Sequence, residues 1–91
     1  MDLHEDIFDQ LIGDGMIIVD GRDVAMVPYS LSVAPHASPL IAAGTISGPE
    51  PLMRKLKAAH DVRLALEDGL VVALRFKGGQ SGIRWVEAVR A

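Results

Sequence analysis

The 91-residue chain contains no cysteine, which excludes disulfides, thiolate metal centres and a cysteine nucleophile. Aromatic residues are nearly as scarce. Phe8, Tyr29, Phe76 and Trp85 make up 4% of the chain, against 49% hydrophobic residues in all. The core must therefore be built from Leu, Val, Ile and Met. No uninterrupted apolar run of about 18 residues is present, so no helical membrane span is expected. The stretch Val24–Pro49 lacks Asp, Glu, Lys and Arg, but Pro28, Pro35, Pro39 and Pro49 interrupt it. The opening Met1-Asp2-Leu3-His4-Glu5-Asp6 lacks the basic n-region of a secretory signal. With no cysteine, it points to a cytoplasmic protein. An excess of basic charge is missing too. The net charge of −3 argues against nonspecific nucleic-acid binding by the domain as a whole.

What is present describes one domain, 1–91. A domain this small has a thin stability margin, and an aliphatic core of this size is often supplemented by a second subunit. The charge is unevenly spread. Met1–Asp23 carries a net −6 and Glu50–Ala91 a net +3, so the two ends attract, within one molecule or between two.

Residues 1–13 read as a short amphipathic helix, with Leu3, Ile7 and Leu11 at helical spacing and Phe8 and Ile12 beside them. Asp2, Glu5 and Asp6 suit its first turns, and Gly13 suits its end. Alone it would not persist in water, so its apolar stripe must dock, in cis or in trans. Met16–Val27 reads as a hairpin turning at Asp20-Gly21-Arg22-Asp23, with Ile17, Val19, Val24 and Met26 on the core face. That strand continues to about Ala34, with Pro28 at an edge or a bulge. A loop follows over Pro35–Pro39, then a strand over Leu40–Ile46.

Ser47-Gly48-Pro49-Glu50 opens a helix whose inward stripe is Leu52, Met53, Leu56 and Ala59. Val62–Lys77 reads as a second hairpin. Its three-residue loop, Glu67-Asp68-Gly69, pairs Leu66 with Leu70 and puts Val62, Leu64, Leu66, Leu70, Val72, Leu74 and Phe76 on one face. Gly78–Gly82 reads as a flexible connection. Ile83–Arg90 is the last strand, with Ile83, Trp85 and Val89 on one side and Glu87 awkwardly among them. The predicted fold class is α+β. A bent antiparallel sheet or partly open β-barrel of about six strands, ordered α-β-β-β-α-β-β-β, packs on one central helix beside the N-terminal helix.

Chemistry-bearing constellations are thin. His4, His36 and His60 show no metal-ligand spacing, so no metal or other cofactor is expected. His36, with Tyr29 and Ser38, could line a ligand pocket at the Pro28–Pro39 loop, but no nucleophile elbow or nearby acid supports a catalytic triad. Gly78-Gly79-Gln80-Ser81-Gly82 leads into a strand and not a helix, unlike a phosphate loop. Arg54, Lys55, Lys57, Arg63, Arg75 and Lys77 could form an anion or nucleic-acid patch, although few aromatics are available to stack bases. The reading is of a non-catalytic interaction or assembly module whose partner is a second copy of the chain or another protein. Its contact residues would be Leu3, Ile7, Phe8 and Leu11, with an exposed strand edge as a second contact. The alternatives are a small-ligand domain or enzyme at the Pro28–Pro39 loop, and a nucleic-acid-binding barrel.

Overall fold

The computed structural model describes residues 10–34 and 39–91. Six strands alternate inward and outward side chains: β1 (Gln10–Val19), β2 (Arg22–Val33), β3 (Leu40–Ser47), β4 (Val62–Ala65), β5 (Val71–Gln80) and β6 (Ile83–Arg90). One helix, α1 (Glu50–Ala58), stands between β3 and β4. The strands close in the order β1-β2-β3-β6-β5-β4, and β4 returns to pair with β1, every neighbour antiparallel. The two three-strand meanders are equivalent in pairing. Each makes a hairpin and adds a third strand, and the halves join through like elements, β1 with β4 and β3 with β6.

This closed barrel, with 67% of the described residues in strands, corrects the α+β expectation of a sheet packed on a central helix. Six strands are present, three on either side of the one helix in sequence. The difference is closure: the four residues of β4 bridge β1 and β5, which a sequence reading cannot register. The N-terminal helix is corrected where it can be seen. Gln10–Gly13 belongs to β1, paired with Tyr29–Ser32 of β2. Leu11 faces the core as a strand residue while Ile12 stays exposed, because period-two alternation replaces the helical stripe. The rest of that predicted helix lies outside the described residues.

The core is aliphatic, as composition required. Ile17, Leu31, Ile46, Leu64, Val72 and Val86 are fully buried from six different strands. Met53 and Leu56 of α1 join them, with Leu52 and Ala59 partly buried against the cluster, so the predicted inward stripe of the helix is the real one. Pro49 caps its start and Pro51 lies in the first turn, where neither removes a helical hydrogen bond. Glu50 fastens that turn to the barrel. Its carboxylate accepts from the Gly82 N–H at 2.8 Å and from both terminal nitrogens of Arg84 at 2.8 and 3.3 Å.

Three local readings change. In the first hairpin, Asp20 and Gly21, both at positive φ, form a two-residue turn that pairs Val19 with Arg22. A register shift between Ile17 and Ile18 leaves Val24 as the extra residue of a bulge. Val24 and Met26 consequently face solvent, and Val27, Tyr29 and Leu31 are buried in their place. In β6 the faces are inverted: Arg84, Val86 and Ala88 point inward, while Ile83 and Trp85 are exposed. The glycine stretch is not loose. β5 runs through it to Gln80, and Ser81-Gly82 makes a second two-residue turn at positive φ.

The second hairpin has its predicted three-residue loop. The Leu66 N–H donates to the Leu70 carbonyl at 2.8 Å, and Gly69 takes φ 96°. Leu70 itself remains exposed beyond the barrel wall.

Candidate interaction groove beside the helix

α1 lies at the barrel end that carries the β1–β2 and β5–β6 turns. The Asp20 N–H there donates to the Asp61 carbonyl at 2.9 Å, and the Gly48 N–H to the Gly82 carbonyl at 2.8 Å. Two concave features flank the helix at this end.

The larger is a groove of about 570 Å³ between α1 and the β1–β2 hairpin. Val19, Val24, Leu52 and Leu56 supply apolar surface, and Asp20, Arg22 and Lys55 supply charge. The groove exists because β3 leaves the sheet early. β2 pairs with β3 only from Tyr29 to Val33, so among the described residues Arg22–Met26 is paired on its β1 side alone. The bulge at Val24 blunts this half-open edge, as edge strands commonly require, and leaves the Val24 side chain facing the groove. Of the three charged residues two are basic, Arg22 and Lys55, and both are exposed.

On the other flank, Lys57, Phe76, Lys77, Gly78, Gly79 and Arg84 line a smaller cleft of about 160 Å³. Trp85, 59% exposed, faces solvent one strand residue further on, beside Ile83 and Gly79. The Arg84 guanidinium, and then the Gly82 N–H, hold the Glu50 carboxyl below its ordinary range. Glu50 is therefore ionised at neutral pH and matched to the buried arginine.

No family model, curated protein or solved structure matches this chain.

The residues singled out in the sequence fare unevenly. Leu3, Ile7 and Phe8 lie outside the described residues, as do His36 and Ser38, which leaves Tyr29 as the described member of the ligand-loop set. Tyr29 is buried, and its hydroxyl accepts from the Glu67 N–H at 3.0 Å, a fastening of the β4–β5 loop to the barrel. The six basic residues do not make one patch. Arg63 pairs with Asp61 on β4, Arg75 shares Glu87 with Lys77 on the β5–β6 wall, and Arg54 reaches back to Glu50. Among the described residues, Lys57 and Lys77 of the set meet around one concavity, and Lys55 belongs to the groove.

Among the described residues no three His, Asp or Glu side chains group to hold a metal ion, and no helix is long and apolar enough to cross a membrane. Sequence reasoning missed Arg22, Val24 and Leu52 as surface features, and Arg84 as a buried charge. The one available signal for Arg84 was Glu87: an acid among Ile83, Trp85 and Val89 marks that face as the outer one.

Proposed function

We propose that the protein is a self-assembly module, in which the groove between α1 and β2 receives the N-terminal segment of a second copy. The groove with its apolar floor and its Arg22 and Lys55 rim is the observation that supports this reading. The segment Met1–Asp9 has matching chemistry: Leu3, Ile7 and Phe8 are interleaved with Asp2, Glu5, Asp6 and Asp9, and it contains no Lys or Arg. Burial of one such apolar side chain is worth about 1.5–3 kcal/mol. Carboxylates beside two exposed cations add steering more than affinity.

Geometry favours a second copy over the same chain. Gln10 begins β1 and Val19 ends it at the groove, and nine strand steps span roughly 30 Å. Phe8 and Ile7 stand two and three residues from Gln10, a reach of at most about 7–11 Å. That reach falls short of the groove on the same barrel, so these two residues would need a second copy. Reciprocal exchange of the segment between two copies would close as a dimer, whereas one-way exchange would build chains.

Sedimentation velocity on the full chain tests this reading. A dimer or larger species is expected, shifting toward monomer with Phe8→Asp and equally with Lys55→Glu paired with Arg22→Glu. Circular dichroism would check that each variant stays folded. A chain that remains monomeric at high concentration, or an oligomer indifferent to both the groove and the segment variants, refutes it.

A further inference from the structure

We infer that the cleft on the opposite flank of α1 binds a small dianionic oxyanion: phosphate, sulfate or a short phosphate monoester. Three observations converge there. The first is charge. Lys57 and Lys77 both line the cleft with Arg84. Arg84 is matched by Glu50 at 2.8 Å, and Glu87 is shared between Arg75 at 3.6 Å and Lys77 at 4.0 Å. Two positive charges are thus left over around the cleft, which suits a dianion better than a single carboxylate.

The second is construction. The β5–β6 register shifts between Phe76 and Gly78, with Phe76 opposite Val86 and Gly78 opposite Trp85. Lys77 is the extra residue of this bulge, so its backbone stands out of the ladder. Bulges of this kind re-aim a side chain, often beside binding sites. Gly78 and Gly79 follow at φ 147° and 131°. A side chain at Gly79 would run into the Ile83 carbonyl, so bare backbone is required there by the fold, while the space beside Gly78 is open. The Arg84 side chain forms a rigid wall, 8% exposed and held by Glu50 and by the Ile83 carbonyl at 3.1 Å.

The third is size. About 160 Å³ equals roughly five water molecules at about 30 Å³ each, room for a phosphate group and a few attached atoms. It falls well below the ~300 Å³ from which pockets for drug-sized ligands begin, which excludes enclosure of a whole nucleotide.

The sole tryptophan supplies a reporter, because Trp85 lies across the ladder from Gly78. The test is titration of the full chain at low ionic strength with inorganic phosphate, glycerol 3-phosphate and acetate in parallel. It is read by Trp85 fluorescence and by amide NMR shifts of Lys77, Gly78 and Gly79. Phosphate is expected to move these signals saturably, and Lys57→Ala with Lys77→Ala to weaken binding at least tenfold. Tighter binding of glycerol 3-phosphate than of inorganic phosphate identifies an organic phosphate as the ligand source; the reverse order identifies the free ion. The inference is overturned if phosphate leaves these signals unmoved, if the double variant binds as well as the parent, or if acetate binds equally. Both lysines are exposed, so the variant retains the barrel, and neither lines the groove. Its oligomeric state should equal the parent's, which separates failure here from failure of the assembly reading.

Discussion

Gly44 in β3 sits opposite Leu31 of β2, where the two strands cross so closely that a side chain has no space. A Cβ on Gly44 would run into the Ser30 carbonyl oxygen and stand 2.8 Å from the Leu31 Cα. Both atoms are backbone, so no rotamer change relieves the clash. Restoring ordinary contact requires β2 and β3 to separate by more than about 1 Å, which breaks hydrogen bonds spanning at most about 3.2 Å. Losing about two ladder bonds costs about 2 kcal/mol, and the strain of overpacking adds about 1–3 kcal/mol. Gly44→Ala should therefore destabilise by about 3–5 kcal/mol. A domain of this length holds only about 5–14 kcal/mol in total, so much of its stability disappears. At about 4–8 °C per kcal/mol the melting temperature should fall by at least about 12 °C. Gly21→Ala is the internal control. Gly21 has φ 84° but nothing within 4 Å of a built Cβ, so only the left-handed backbone penalty of about 1–2 kcal/mol applies. Thermal melts followed by circular dichroism compare the two. Equal losses would mean that β2 and β3 do not approach as described, and the packing argument would fall.

Two further outcomes follow from Glu50 and Trp85. The Glu50 carboxyl titrates below its ordinary value of 4.5 because Arg84 and the Gly82 N–H favour its charged form. Its stabilising contribution is thus complete above that value and is lost as pH falls through the lower folded-state pKa. Glu50→Gln should lower the melting temperature at pH 7, and the gap from the parent should close as pH drops below about 4.5; a gap that stays constant with pH would remove the linkage. Trp85 is 59% exposed in the native barrel, so its emission should already be red-shifted, be quenched readily by iodide, and move little on unfolding. A blue, protected emission would restore the opposite face assignment for β6.

The legible parts of the fold are those set by neighbours in sequence. The Glu67-Asp68-Gly69 loop was readable because only one loop length puts Leu64, Leu66, Val72 and Leu74 on the same face, and all four are buried. Helix α1 was readable from Pro49, Glu50 and the Leu52-Met53-Leu56 stripe. Residues 10–13 misled because Leu11 and Ile12 serve a helical stripe and a strand equally well over so short a run. The pairing that makes Leu11 a strand residue comes from Leu31, twenty positions away. Closure was invisible for the same reason, since β4 owes its place between β1 and β5 to contacts across the whole chain. The candidate sites were the least legible. Lys57 and Lys77 come together only across the barrel end, and nothing near Arg84 in sequence announces that Glu50 neutralises it.

The placement of both candidate sites can be traced to departures from the regular barrel. The two meanders pair equivalently, and a perfectly regular ladder would alternate its side chains between the core and the outer wall. Two of its interruptions occur at Val24 in β2 and at Lys77 in β5. Each is the residue without a ladder partner, and each lines the concavity on its own side of α1. An extra residue in a strand costs ladder hydrogen bonds, so a bulge persists where surrounding structure holds it. Here the Glu50–Arg84 pair and the Gly48–Gly82 bond fix the helix against the β5–β6 turn, while the Asp20–Asp61 bond fixes the chain entering β4 against the β1–β2 turn. One apolar residue and one cation are thereby presented on opposite flanks of the same helix. That division of labour, a greasy groove on one side and a cationic cleft on the other, would let a single barrel end hold a neighbouring copy and an anion at once without competition between them.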